Sequence, residues 1–148
     1  MPIIDQENKI LNNEKAKLLE IENASIEFKN INFSYKSNLN NIVLKNINIG
    51  IAGRKMTALV GHSGSGKSTI LNLIPRIYDA DSGEILVDNQ NVKNLNLQSL
   101  RKEISIVDQN VTLFDDTIFN NIKYAKPNAD NDEVFMAAEL SMLSLIHI

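Results

Sequence analysis

Glycine, lysine and hydroxyl side chains stand at a telling spacing in Gly61-His62-Ser63-Gly64-Ser65-Gly66-Lys67-Ser68-Thr69. The pattern is G-x-x-x-x-G-K-[ST], and the chemistry it suits is the holding of phosphate. Without a Cβ, Gly61, Gly64 and Gly66 let the backbone adopt positive φ and come close to a ligand. Successive N–H groups, those of Ser63 and Ser65 included, then line a concave nest for phosphate oxygens. The helix that starts near Gly66 adds the positive end of its dipole and its free N–H groups. Lys67 supplies a full charge for the β- and γ-phosphates of a nucleotide. The Ser68 hydroxyl is the candidate Mg2+ ligand, because a hard cation takes oxygen donors. Thr69 offers one more hydroxyl toward phosphate. His62 occupies a free position of the motif and reads as a solvated loop residue.

Such a loop needs a strand before it and a helix after it. Met56-Thr57-Ala58-Leu59-Val60 reads as a buried strand, and Ile70-Leu71-Asn72-Leu73-Ile74 as the start of the helix. Pro75 ends or kinks that helix near Ile74. Upstream, residues 25–33 alternate polar and apolar side chains, the period of a half-buried strand. Residues 42–49 form a second, β-branched strand. Residues 84–87 give a short strand followed by a hairpin-type turn at Asp88-Asn89-Gln90-Asn91, residues 97–102 a short helix, and residues 104–107 a further strand. Asp116 or Thr117 caps a helix reaching about Tyr124. Asp130 with Glu133 makes a capping-box start for a helix over residues 132–142. Residues 1–23 are polar and mixed in charge, without strong periodicity, and read as a linker or tail.

The bulk properties exclude several classes. The chain has 148 residues, a net charge of −3 and no cysteine. With a pI near 5.4 there is no basic field to favour nucleic acid. Disulfides and thiolate metal sites are ruled out. No apolar run is long enough to span a bilayer and no secretory leader opens the chain. As written, the chain reads as soluble and cytoplasmic.

With the motifs placed, the chain resembles the ATP-binding domain of ABC transporters, most closely the exporter type of the lipid and multidrug exporters. The likeness covers about residues 24–142. "IEFKNINFSY" resembles the opening strand of that domain and puts Tyr35 where the family stacks an aromatic ring on adenine. "GSGKSTILNLIPRIYDADSGEILVD" follows the family through the phosphate loop and beyond. "ISIVDQNVTLFDDTIFNNI" resembles the Q-loop region, with Gln109 as the glutamine that ligates Mg2+ or holds the attacking water. Residues 111–119 resemble the segment that meets the membrane domain, where Phe114 is either an exposed contact or a core residue. The resemblance implies an α/β fold: a P-loop NTPase core sheet with an N-terminal antiparallel β subdomain. It implies ATP and Mg2+ as cofactors, Lys67 and Gln109 as catalytic groups, a membrane domain fused upstream, and a second ATP-binding domain as dimer partner. The place would be the cytoplasmic face of a membrane.

The signature Leu-Ser-Gly-Gly-Gln, the apolar strand ending in Asp-Glu and the switch histidine of that family do not occur in the sequence. Ile85-Leu86-Val87-Asp88 imitates an acidic strand but comes too soon after the phosphate loop to be the Mg2+ site. The sequence therefore reads as truncated before the signature motif, binding nucleotide with negligible hydrolysis by itself. Residues 143–148, Leu-Ser-Leu-Ile-His-Ile, depart from the family pattern and match the translation of a transposon mosaic end. They read as adapter-derived, with a natural pseudogene end as the alternative. The rival functions are a soluble ABC-type ATPase, an importer ATPase subunit, and a non-catalytic nucleotide-binding fragment. The exporter-like "QNVTLFDDTIFNNI" speaks against the first.

Overall fold

The computed structural model describes residues 10–35, 42–107 and 112–141. They fall into two compact units divided between Ser105 and Ile106. The first unit is built on an antiparallel sheet. Its strands are β1 (Ile26–Ser34), β2 (Ile42–Ile51), β3 (Ser82–Val87) and β4 (Gln90–Asn91), in the order β2-β1-β3-β4. This is the antiparallel β subdomain read from the sequence; β1, β2 and β3 lie within two residues of their predicted ends, while β4 falls in the segment read as a hairpin-type turn.

The alternation in β1 is interrupted on purpose. Phe28, Ile31 and Phe33 are its buried apolar residues, yet Phe28 and Ile31 are three apart. A strict period of two would turn Asn30 into the core. Instead Asn30 adopts φ 51°, and the pairing with both neighbours shifts register there. This is a β-bulge, which takes up one residue and returns Ile31 to the inner face. The bulge leans on Gly83, where φ is 88° and a Cβ would come within 2.4 Å of the Lys29 carbonyl oxygen. On the outer face the asparagines stitch strands together: Asn30 N donates to Asn48 Oδ1 and Asn46 N to Asn32 Oδ1, both at 2.9 Å. The β3–β4 connection is the two-residue turn Asp88-Asn89, with φ of 44° and 62°. Left-handed values at both positions make a hairpin turn whose twist matches its strands.

Helix α1 (Lys67–Leu73) lies against this sheet's inner face, with Ile70 and Leu73 in the same core as Phe28, Ile31, Phe33 and Leu44. It ends at Ile74 just before Pro75, as predicted. Helix α2 (Leu97–Lys102) is capped by Asn96, whose side chain accepts from the N–H groups of Gln98 and Ser99.

Two strand predictions fail. Residues 56–60 and 104–107 take no strand pairing. Met56 is fully exposed and Val60 is 90% exposed, while Leu59 packs on the core. An apolar run becomes a strand only when another strand satisfies its backbone groups. Among the described residues, none pairs with either run. The P-loop core sheet of the expected fold is thus represented by its loop and helix, without paired strands.

The tail also differs from expectation after residue 15. Residues 16–25 form an extended strap on the first unit. Lys17 bridges to Leu95, Leu19 N donates to Ser99 Oγ at 2.8 Å, and Leu19 packs against the core.

The second unit holds α3 (Ile118–Lys123) and α4 (Asn131–Leu140). Thr117 caps α3 and Asp130 with Glu133 completes the capping box of α4, both as predicted. Val134 and Ala138 are its buried residues on α4. Among the described residues no helix is long and apolar enough to cross a membrane.

Candidate nucleotide-binding site

The loop at residues 61–66 is shaped by its glycines. Gly64 has φ 80° and Gly66 φ 88°, both in the left-handed region. A Cβ on Gly66 would also fall 2.6 Å from Leu44 Cδ2, so sheet and loop approach too closely there for a side chain. Gly66 is the N-cap of α1 and no side chain caps the helix, so its first N–H groups are available to a ligand. The Lys67 ammonium sits across the loop. It donates to the carbonyls of Gly61 at 2.9 Å and His62 at 2.8 Å, and to Ser65 Oγ at 3.2 Å. Its charge is therefore held over the mouth of the nest. Ser68 is exposed at the first turn of α1, while Thr69 is 5% exposed and turned inward. His62 is exposed and uses ring Nδ1 to donate to the Ser63 carbonyl at 2.9 Å. A carbonyl can only accept, so Nδ1 carries the hydrogen.

Tyr35 follows β1 directly and is half-buried. Its ring meets Phe33 edge-on at 4.9 Å and Tyr78 at 5.2 Å, with interplanar angles of 83° and 89°. Its hydroxyl meets Thr69 Oγ1 at 2.9 Å. The structure thus brings Tyr35, Thr69 and the loop into one neighbourhood. Gln109 lies outside the described residues.

The donor set suits a phosphate chain: a left-handed glycine loop, an uncapped helix start and an ammonium group together. Mg2+ would find an exposed hydroxyl at Ser68, beside those phosphates.

A profile of the ABC transporter family matches residues 44–147, which is more than half of the chain. The chain belongs to the ABC transporter family. It is 50% identical over 125 residues to an ATP-dependent lipid A-core flippase of Pectobacterium atrosepticum, covering 82% of this chain and 21% of that protein. It is 38% identical over 143 residues to a heavy metal tolerance protein of Schizosaccharomyces pombe, covering 97% and 17%. A putative multidrug export ATP-binding/permease protein of Staphylococcus aureus is 41% identical over 139 residues, with coverage of 94% and 24%. Among solved structures, a bacterial Atm1-family ABC exporter with ATP bound superposes with a TM-score of 0.88 at 35% identity, covering 95% of this chain and 24% of that one. The chain spans about a fifth of the length of the curated relatives it matches. The resemblance to the ATP-binding domain of exporters is borne out by these matches.

Within this ABC domain one residue matters that the sequence reading passed over, and a second matters beyond the role that reading weighed. Arg76, at φ 54° and 5% exposed, forks onto Asp79 with Nε–Oδ1 2.9 Å and Nη2–Oδ2 3.0 Å. Arg101 donates to the carbonyls of Pro75 at 2.9 Å and Arg76 at 2.7 Å. This knot fixes the exit of α1 and, through Tyr78, one wall of the Tyr35 cluster. Asp88 is the other. Its Oδ2 accepts from the N–H groups of Glu22, Asn23 and Ala24, each at 2.9 Å, and Oδ1 accepts from Ser25 N and Ser25 Oγ at 2.8 Å. These bonds, the Ser25 N–H foremost, hold its carboxyl far below the usual carboxylate range. A carboxylate so committed to the strap agrees with the reading that Asp88 is not the Mg2+ site. Its turn position after an apolar strand was visible in the sequence. Its partners, more than sixty residues away, were not.

Proposed function

We propose that this domain binds ATP with Mg2+ at residues 61–69 and that, within a longer transporter, it hydrolyses ATP to drive export across a membrane. The observation that carries the reading is the Lys67 ammonium held across a left-handed glycine loop at the uncapped start of α1. Backbone N–H groups of residues 63–66 would take phosphate oxygens, and Lys67 the β- and γ-phosphates. Ser68 and Gln109 would hold Mg2+, whose charge offsets that of the phosphates. Tyr35 would offer the open part of its ring to adenine, and Thr69 would support the first turn beneath the phosphates. Phosphoryl transfer depends on charge positioned around the γ-phosphate. The family resemblance gives that task also to a second ATP-binding domain facing the first. The names of the relatives, a flippase and a multidrug export protein, support export and a membrane domain as partner. The work would then be done at the cytoplasmic face of the membrane.

The test is displacement of a fluorescent ATP analogue from the 148-residue chain by unlabelled ATP, with and without Mg2+. Saturable displacement that strengthens with Mg2+ is expected. Binding that ignores both ATP and Mg2+ would remove the assignment.

A further inference from the structure

We propose that the Tyr35 hydroxyl is a positioning group for the phosphate loop, acting through Thr69. The inference rests on the ATP-binding reading above and goes beyond it. A ring that only stacks on a base has no use for its hydroxyl. Here the hydroxyl is engaged, 2.9 Å from Thr69 Oγ1. Thr69 is the third residue of α1, directly after Lys67 and Ser68. It is one of few buried polar residues of the first unit, at 5% exposed. Being β-branched, its side chain is stiff about χ1, so holding the hydroxyl holds the backbone that carries it.

The first turn of α1 needs such an anchor. Gly66 gives it no side-chain cap, and Gly66 and Gly64 precede it in a conformation open to few other residues. The bonds that steady the loop and this turn include Ser65 N to the His62 carbonyl at 3.3 Å, Ile70 N to the Gly66 carbonyl at 2.9 Å and those of Lys67 itself. Tyr35 is fit to be the fixed end of the tether. Its ring is wedged at right angles against Phe33 and Tyr78, and Phe33 is 3% exposed in β1. Two edge-to-face contacts leave the phenol little freedom to swing. The hydroxyl pair therefore ties the end of β1 to the turn that presents Lys67 and Ser68. The same residue would serve the base with its ring and the phosphates with its hydroxyl.

Two ligands separate the roles: Mg-ATP, and magnesium tripolyphosphate, which has phosphates but no base. Tyr35→Phe keeps the ring and removes the tether. It is expected to weaken both ligands by about fivefold, the size of one neutral hydrogen bond. Thr69→Val should cost the same, and the double variant no more than either single one, as for two groups sharing one interaction. Thr69→Ser, which keeps the hydroxyl but not the stiff χ1, should recover part of the binding that Thr69→Val loses. Amide exchange in α1 should quicken in Tyr35→Phe without ligand, which reads the tether directly even if a variant loses affinity for other reasons. If wild type binds Mg-ATP and Tyr35→Phe binds both ligands equally well, the positioning role is wrong and the ATP reading stands. Losses that multiply in the double variant would also overturn it. If wild type binds neither ligand, the ATP reading falls and the tether falls with it.

Discussion

Gly66 stands where a side chain has no room and where an L-residue is strained. With φ at 88° and Leu44 Cδ2 at 2.6 Å from any Cβ, Gly66→Ala meets two penalties. The left-handed conformation alone costs roughly 1–2 kcal/mol. A fall of that size or more is expected in the urea unfolding free energy, with weaker ATP binding beside it. An unchanged urea midpoint would mean that the loop relaxes freely. The phosphate loop was legible because its chemistry is local: eight consecutive residues, Gly61 to Ser68, carry the pattern. Tyr35 was legible as an aromatic ring at a strand end, while its hydroxyl partner was not. Thr69 is 34 positions away, and only the packing of α1 on the sheet brings the two together. Arg76 was missed for a similar reason, since its left-handed backbone has no glycine or asparagine to announce it.

At the scale of elements, β1 was readable from its period of two, β2 from its β-branched residues, and the caps of α3 and α4 from their side chains. The runs at 56–60 and 104–107 looked like strands by the same apolar signal. That signal reports burial and propensity, and says nothing of whether a neighbour exists to pair with. The strap was unreadable because its fastening depends on Asp88, a residue of the distant hairpin. Asp88 makes a pH prediction. Its folded carboxyl lies well below the value near 3.9 of an unfolded aspartate. A depressed folded value means that the carboxylate's contribution is fully present above the unfolded value and is lost as pH falls below it. Asp88→Asn should therefore melt lower than wild type at neutral pH, and the gap should shrink as pH drops below about 4. Amides of Glu22, Asn23, Ala24 and Ser25 should exchange faster in the variant. A gap that stays constant down to pH 2 would refute the carboxylate as the fastening.

At the scale of the whole molecule, the chain is an ABC-family domain whose first unit leaves apolar side chains exposed. Met56 and Val60 are almost fully exposed there, and Leu71 and Ile77 about half. Exposed apolar side chains of this kind promote association. The chain is expected to bind a hydrophobic dye, to associate as concentration rises, and to show little exchange protection at residues 56–60. A monomer with a sharp melt and protected amides there would show that this run finds a partner strand. The most direct test of the phosphate-holding loop is calorimetric titration of Mg-ATP into wild type and Lys67→Ala. Among the described residues the Lys67 ammonium bonds within its own loop, so the variant should keep the wild-type fold by circular dichroism. A charged hydrogen bond contributes about 1.5–3 kcal/mol, so affinity should fall by about 10- to 150-fold. Equal affinity in wild type and variant would contradict the assignment of this loop as the phosphate site.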